Sequence, residues 1–353
     1  MLDPNRRALL QKAGLLSLLA ASGQALPIRV SGAAEAPRGA GKLRRMIFRA
    51  DDVGYSDIAN IGTFKAVDQG VVTSLDIMFD VPGTVDVLER LRKYPWLSVG
   101  WHAHMWGTPV LGADKVPSLV GRDGHFKWSP RDGTWSALGG YNKTRQDWAP
   151  LANQVNYDEA VAEFRAQIAR CVRIIGRAPD TGGGQGNTLV DKAISQVARE
   201  FGMKSGWFTK GAGGGSNEAS PAAPEYRHLN VYMPSQGNGT NKHMLDVPRL
   251  GEAETYDPMA GLRSDGNGIM DKETVQLAFH PGFLDDYIAT DGGIQFTMSR
   301  VRVLDVHFLC SPELRQWIKD HRIQLINQRD ALNGTHEYQD HLRTIGSDLY
   351  MAA

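Results

Sequence analysis

The chain has 353 residues, of which 42% are hydrophobic and 22% are charged, and its 39 basic side chains balance 39 acidic ones. This length and composition are typical of a globular protein with a substantial buried core. The zero net charge argues against a nucleic-acid partner, which would leave a basic excess or patch.

The N-terminus has the pattern of an export signal. Arg6 and Arg7 precede an apolar run at 14–21. That run is too short to cross a bilayer, which takes roughly 20 apolar residues, and no later segment is long and apolar enough. Paired arginines followed by leucines are typical of a twin-arginine signal. We therefore expect a signal and linker at 1–36, one domain at 37–353, and a periplasmic or secreted location.

Strand-like and helix-like runs then alternate along the chain, which predicts a mostly parallel α/β domain. The predicted strands are 45–50, 72–79, 97–104, 205–209, 275–280 and 323–327. The predicted helices are 58–69, 84–94, 157–175, 189–201 and 311–321, and the third has apolar residues at clear helical spacing.

Two of the predicted strands end in side chains that bind metals or move protons. The first ends in Asp51 and Asp52, and the third ends in His102 and His104. Side chains alternate along a strand, so the adjacent acids face different ways, whereas the two histidines share a face. Carboxylate with imidazole is the ligand set of a hydrolytic divalent-metal centre.

A long segment at 109–152, rich in Gly, Pro, Trp and Asp, is predicted to be a loop over one face. The nearby Trp106 is a candidate for stacking on a sugar ring, although tryptophans in such loops also serve as packing. The two cysteines, Cys171 and Cys310, are expected to be buried thiols, and their pairing is left open.

Several short segments occur in an order and spacing that match a known family. They are 49–56, 70–74, 99–102, 116–119, 163–168, 280–282, 302–305 and 323–326. On these segments the chain resembles the YdjC-like carbohydrate deacetylases, the group named for chitooligosaccharide and hopanoid deacetylation. The resemblance spans about residues 45–332.

The resemblance implies a distorted (β/α) barrel of the TIM type, with seven or eight strands and a site at their C-terminal ends. It implies that Asp52 and His102 hold a divalent ion, which could be Zn, Mg or Mn. Asp51 would be the general base on metal-bound water, and His280 would help to protonate the leaving group. It also implies a carbohydrate substrate, and a homodimer is one of the assemblies found in the family.

The chain departs from the family where the third ligand is expected. That segment usually contains Asp-x-His-x-His, but here the corresponding positions are Gly183, Gln185 and Asn187. Gln185 and Asn187 are therefore also candidates for contacts with the substrate.

Three explanations of the missing ligand stay open. His104 could replace it, because it shares a strand face with His102. Gln185 or Asn187 could supply an amide oxygen, which would favour Mg, Mn or Ca over Zn. Alternatively, the chain uses no metal.

The sequence therefore predicts an exported, metal-dependent hydrolase that removes an N-acetyl or O-acyl group from a carbohydrate. The alternative is a metal-free relative. It would be either a glycan-binding protein or an enzyme that uses Asp51, Asp52 and His280 as acid and base to cleave a sugar, as a glycoside hydrolase or a lyase does.

Overall fold

A long central strand organises the sheet. The computed structural model describes residues 43–103, 105–127, 152–184, 187–204, 229–232, 256–265, 269–272, 274–286 and 296–351. Within them the strands are β1 (Arg44–Val53), β2 (Ser74–Ile77), β3 (Ser98–Trp101), β4 (Leu229–Tyr232), β5 (Thr274–Phe279) and β6 (Ile323–Leu325).

All of these strands pair in parallel, in the order β3-β2-β1-β5-β4. β6 pairs with the first residues of β1, and β2 pairs with the last residues of β1. Beyond β3, parallel bridges join Gly100 to Thr181 and Thr181 to Lys204. The sequence prediction of a parallel α/β fold is confirmed, whereas the described residues do not trace a closed barrel.

Nine α-helices are described around these strands. They are α1 (Asp57–Asp68), α2 (Thr84–Leu91), α3 (Tyr157–Ile175), α4 (Leu189–Glu200), α5 (Pro258–Ser264), α6 (Phe296–Leu309), α7 (Pro312–Asp320), α8 (Gln328–Asn333) and α9 (Glu337–Thr344). None of the described helices is long and apolar enough to cross a bilayer.

Local sequence signals set several helix ends. Ser56 accepts a hydrogen bond from the Ala59 amide and so caps α1, while Thr188 and Asp191 form a capping box at α4. α3 ends at Gly176, whose φ of 80° lies in the left-handed region that glycine adopts without strain.

The two faces of the sheet carry different side chains. One face presents apolar residues, and there Phe48 of β1 stacks on Phe279 of β5 with ring centroids 6.1 Å apart. Residues of β1, β2 and β5 on the opposite face are polar but also buried, among them Arg49, Asp76 and Gln276. Because side chains alternate along a strand, a single set of strands supplies both the core against the helices and a polar interior.

Most predicted elements occur, with shifted ends. The predicted strands 72–79 and 97–104 are shorter, at Ser74–Ile77 and Ser98–Trp101, and the strand 45–50 is longer because β1 continues through both acids. The predicted strand 205–209, the segment 128–151 of the predicted loop and the predicted signal at 1–36 lie outside the described residues. The sequence analysis did not identify β4, α5, α6, α8 or α9.

Candidate functional site

The end of β1 turns its two carboxylates toward different partners. Asp52 has a φ of 55°, in the left-handed region, and the β1–β2 register shifts between Ala50 and Val53. Such a bulge re-aims side chains at the end of a strand. Asp51 contacts Arg49, whereas Asp52 contacts residues that follow β3 and β5. The adjacent acids thus occupy different surroundings, as alternation along a strand predicts.

Three side chains converge on Asp52. His102 Nε2 lies 2.9 Å from Asp52 Oδ1, and Arg302 Nη2 donates to Asp52 Oδ2 over 2.6 Å. His280 Nε2 lies 3.8 Å from the same Oδ2 atom. His102 follows β3 directly and His280 follows β5 directly, so the site lies at the carboxyl ends of parallel strands, where α/β proteins place their ligands.

Asp52 and His102 stabilise each other's charged forms. Burial by itself would raise the pKa of Asp52, but the hydrogen bond from His102 and the charge of Arg302 hold it well below its usual range. Burial would lower the pKa of His102, yet the hydrogen bond and charge of Asp52 raise it. An ionised Asp52 beside a readily protonated His102 is therefore the stable state of this pair.

His280 has the opposite electrostatic behaviour. Its side chain is buried, and burial lowers its pKa to about 4 against the opposing charge of Asp52, with Arg302 lowering it further. At neutral pH the imidazole is therefore uncharged. One of its two ring nitrogens carries no proton and can accept one, as a general base must.

Asp51 forms a buried ion pair with Arg49. Arg49 Nη2 donates to Asp51 Oδ2 over 2.6 Å and its Nε donates to Oδ1, so both carboxylate oxygens are engaged. The Arg49 side chain is 1% exposed, and its Nη1 also lies 3.3 Å from Asp76 Oδ2. The two anions keep the pKa of Arg49 above its usual value despite burial. Arg49 therefore carries a permanent positive charge beneath the site.

Asp76 joins this charged layer from β2. Its Oδ2 lies 4.0 Å from His102 Nδ1, while its Oδ1 is buried and has no hydrogen-bond partner among the described residues. Burial raises the pKa of Asp76. The neighbouring Gly100 makes room for it, since a Cβ at this position would come within 1.9 Å of Asp76 Oδ1.

Two buried carboxylates hold the chain that follows β3. Asp80 accepts from the amides of Trp106 and Gly107, at 2.5 and 2.8 Å. Glu163 of α3 accepts from the amides of Val110 and Leu111, at 2.9 and 3.0 Å. Burial raises the pKa of Asp80 to about 7, and the hydrogen bonds from the Gly107 and Trp106 amides oppose this rise. Two buried carboxylates thus fix the backbone of this segment.

Of the remaining predicted residues, the structure describes Trp106 and Asn187. Trp106 is buried, with 3% of its surface exposed, and its ring packs edge-on against Tyr55. Asn187 is exposed just before α4. His104 and Gln185 lie outside the described residues. The structure thus brings Asp52, His102 and His280 together, with Asp51 behind them on Arg49.

The described donors do not complete a divalent-ion site by themselves. Asp52 and His102 are two ligands of suitable chemistry. Across the described ranges, however, no group of three His, Cys, Asp or Glu side chains is arranged to hold an ion. Arg302 also directs a positive charge at Asp52 Oδ2, which opposes a cation there.

The sequence analysis missed four residues of this site: Arg49, Asp76, Arg302 and Asp305, whose carboxylate accepts the backbone amide of His280. For the first two a signal existed, because each is a charged residue with an apolar neighbour on either side in its strand. Such a residue is rarely buried unless it is paired. Arg302 lies in the matching segment 302–305, but nothing local indicated its partner, because Asp52 is 250 residues away in the chain.

Comparisons with known proteins place the chain among relatives of similar length. The chain is 23% identical over 293 residues to carbohydrate deacetylase 2 of Listeria innocua, covering 81% of this chain and 98% of the relative. It is 25% identical over 278 residues to the chitooligosaccharide deacetylase of Serratia marcescens, covering 78% of this chain and 94% of the relative.

A solved structure shares the fold. It is that of an Enterococcus faecalis protein described as a cellobiose-phosphate cleavage protein, with a TM-score of 0.54 and 20% identity over 82% of this chain and 99% of that chain. The sequence profile described as YdjC-like protein matches residues 45–320. The chain therefore belongs to the YdjC-like family.

Proposed function

We propose that this protein hydrolyses the bond between a carbohydrate and an acyl group, with an N-acetyl group as the first candidate. It is an enzyme of the deacetylase-like hydrolase class, as its relatives' names indicate. The observation that carries the proposal is the convergence of an anionic carboxylate, a protonatable imidazole and a neutral imidazole at the carboxyl ends of β1, β3 and β5.

Hydrolysis of an amide needs a proton removed from water and a proton added to the departing nitrogen. The neutral His280 is suited to take up a proton and then return it to the leaving group. Asp51, which is paired with Arg49, is the second candidate base. Arg302 and protonated His102 supply positive charge where the oxygen of the tetrahedral intermediate becomes negative, and this lowers the barrier.

A divalent ion is an alternative source of that positive charge, and it would need His102 in its neutral form. Asp52 and His102 would bind it, with His104 as the third ligand, and it would polarise the acyl carbonyl. Metal content of the purified protein, measured by mass spectrometry, tests this directly. We expect Asp52→Asn and His102→Gln to lose an ion that His307→Ala, a change on the exposed side of α6, retains. Equal metal content in all four proteins would rule out this ligand set.

The hydrolytic activity is tested by acetate release from N,N′-diacetylchitobiose. We expect Asp52→Asn, His102→Gln and His280→Gln each to lower kcat about 100-fold or more, whereas His307→Ala stays within twofold of the wild type. No acetate release by the wild-type protein from this or other acetylated oligosaccharides, despite correct folding, would refute deacetylation.

Acid–base cleavage of the sugar itself is the second candidate function. It is favoured by the Arg302–Asp52 ion pair and by the incomplete donor set among the described residues. Mass spectrometry of the same digestion separates the two reactions. Deacetylation lowers the mass of the intact disaccharide by one acetyl group, whereas glycoside cleavage produces monosaccharides.

Export by the twin-arginine pathway is also a proposal. Its basis is the Arg6–Arg7 pair ahead of the apolar run. Replacing both arginines with lysine is expected to retain the protein inside the cell, as measured by fractionation. Unchanged distribution of that variant would contradict this route.

A further inference from the structure

A buried carboxylate on α6 connects His280 to a tyrosine from another part of the chain. Asp305 has no exposed surface. Its Oδ2 accepts the backbone amide of His280 over 2.8 Å, and its Oδ1 accepts the hydroxyl of Tyr256 over 2.6 Å. Both oxygens thus have defined donors, so the carboxylate position is set from two sides.

The segment that carries His280 is held on both sides. The Gly282 amide donates to the backbone oxygen of Arg302 over 3.3 Å, and the Thr63 hydroxyl donates to the Pro281 oxygen over 2.7 Å. Together with the Asp305 contact, these bonds tie the residues after β5 to α6 and α1. The orientation of the His280 imidazole therefore depends on the position of α6 relative to the end of β5.

α6 contacts the site twice within one helical turn. Arg302 donates to Asp52, and Asp305, three residues later on the same face, binds the His280 amide. Because one rigid turn touches both Asp52 and His280, it sets the separation of the two side chains, which is 3.8 Å between Oδ2 and Nε2.

We propose that Asp305, held by the Tyr256 hydroxyl, is a positioning residue that places His280 against Asp52 for proton transfer. This inference rests on the proposed function, because it assigns His280 a role in the hydrolysis. It predicts that weakening either hydrogen bond lowers the catalytic rate without an equal effect on substrate binding.

The charge of Asp305 gives the proposal a pH dependence. Burial raises its pKa to about 7, and the hydrogen bonds from Tyr256 and His280 and the charge of Arg302 oppose this rise. Among the described residues, these are the groups that oppose the effect of burial on Asp305. The carboxylate that accepts both hydrogen bonds therefore forms as the pH rises through 7, so kcat of the wild type should increase over that range.

Two variants and a matched control test the kinetic effect on N,N′-diacetylchitobiose. Asp305→Asn is expected to lower kcat about 10-fold or more, and Tyr256→Phe about 3-fold to 10-fold, with KM within twofold in both. Tyr94→Phe removes an equivalent phenol–carboxylate hydrogen bond, to Asp68 on the surface, and should leave kcat unchanged. The rise in kcat near pH 7 should vanish in Asp305→Asn and move to higher pH in Tyr256→Phe.

Amide hydrogen exchange provides a readout independent of activity. The His280 amide should exchange at least 10-fold faster in Asp305→Asn, whereas the Leu277 amide in β5 should change less than twofold. Equal acceleration at both amides would show general destabilisation and overturn the proposal. Unchanged exchange at the His280 amide in Asp305→Asn, or a kcat of this variant within twofold of the wild type, would also overturn the proposal. If the wild type releases no acetate, the proposed function fails, and the exchange measurement alone decides the role of Asp305.

Discussion

The two faces of the parallel sheet are equally buried but are stabilised in different ways. On one face, residues such as Phe48, Leu277 and Phe279 pack against helices, and their contribution is the apolar area removed from water. On the other face, Arg49 pairs with Asp51 and Asp76, so each charge depends on a particular partner. Apolar packing tolerates small changes in shape, whereas a buried ion pair fails when one member is removed. The candidate site thus lies on the polar face, which tolerates substitution less well.

Removing the central cation should have the largest effect on stability. Arg49→Met leaves Asp51 and Asp76 buried without their guanidinium partner, which we expect to cost about 3–5 kcal/mol or to prevent folding. Urea unfolding and the yield of folded protein measure this. Arg90→Met breaks a surface pair with Asp86 and should cost about 0.5 kcal/mol or less. Similar losses in both variants would show that the charges do not hold the polar face together.

A cavity on the apolar face should have a smaller effect that leaves catalysis intact. Leu277→Ala is expected to cost about 3 kcal/mol, because it removes a fully buried side chain from the core. Since its side chain points away from the site, kcat per folded molecule should stay within twofold of the wild type. Val85→Ala, at a position 47% exposed, is the control and should be nearly neutral. A large fall in kcat for Leu277→Ala would show that the two faces are coupled.

The buried Asp80 is a third case, because its Oδ2 accepts two backbone amides instead of an ion-pair partner and its Oδ1 has no hydrogen-bond partner among the described residues. Its folded pKa of about 7 lies above the value of roughly 3.9 for an unfolded chain, so the folded state binds more protons between these pH values. Wild-type stability should therefore fall as the pH rises through this window. Asp80→Asn does not titrate, and its stability relative to the wild type should improve by about 2 kcal/mol between pH 5 and pH 7.

Denaturant unfolding at several pH values measures this effect. Asp114→Asn, at an exposed carboxylate, should follow the wild-type pH profile and is the control. A constant difference between Asp80→Asn and the wild type across the window would contradict the assignment of a raised pKa to Asp80.

The close fit around Gly100 should have the smallest effect. Gly100→Ala places a Cβ within 1.9 Å of Asp76 Oδ1, and we expect the displacement of that carboxylate to cost about 1–2 kcal/mol. Gly282→Ala makes only ordinary contacts of 3.6 Å or more and should change stability by less than about 0.5 kcal/mol. The melting temperatures of Gly100→Ala and Gly282→Ala measure this difference. Equal melting temperatures would mean that the side chains of the polar face shift at little cost to make room for the added Cβ.

Most elements close to the site could be predicted because their patterns are local. The runs at 45–50 and 97–104 predicted β1 and β3, and helical spacing predicted Tyr157–Ile175. α6 escaped prediction because apolar residues such as Val301, Val306 and Phe308 do not confine themselves to one face.

The parallel α/β class could be predicted from the sequence, and so could the proximity of Asp52, His102 and His280, because each lies at the end of a strand-like run and parallel strands end at one edge. Tertiary structure alone decided that Arg302 binds Asp52, that Asp305 holds His280 and that Arg49 neutralises two acids from neighbouring strands. These contacts join residues far apart in the chain, and their geometry depends on the β1 bulge and on the packing of α6, which leave no periodic pattern in the sequence.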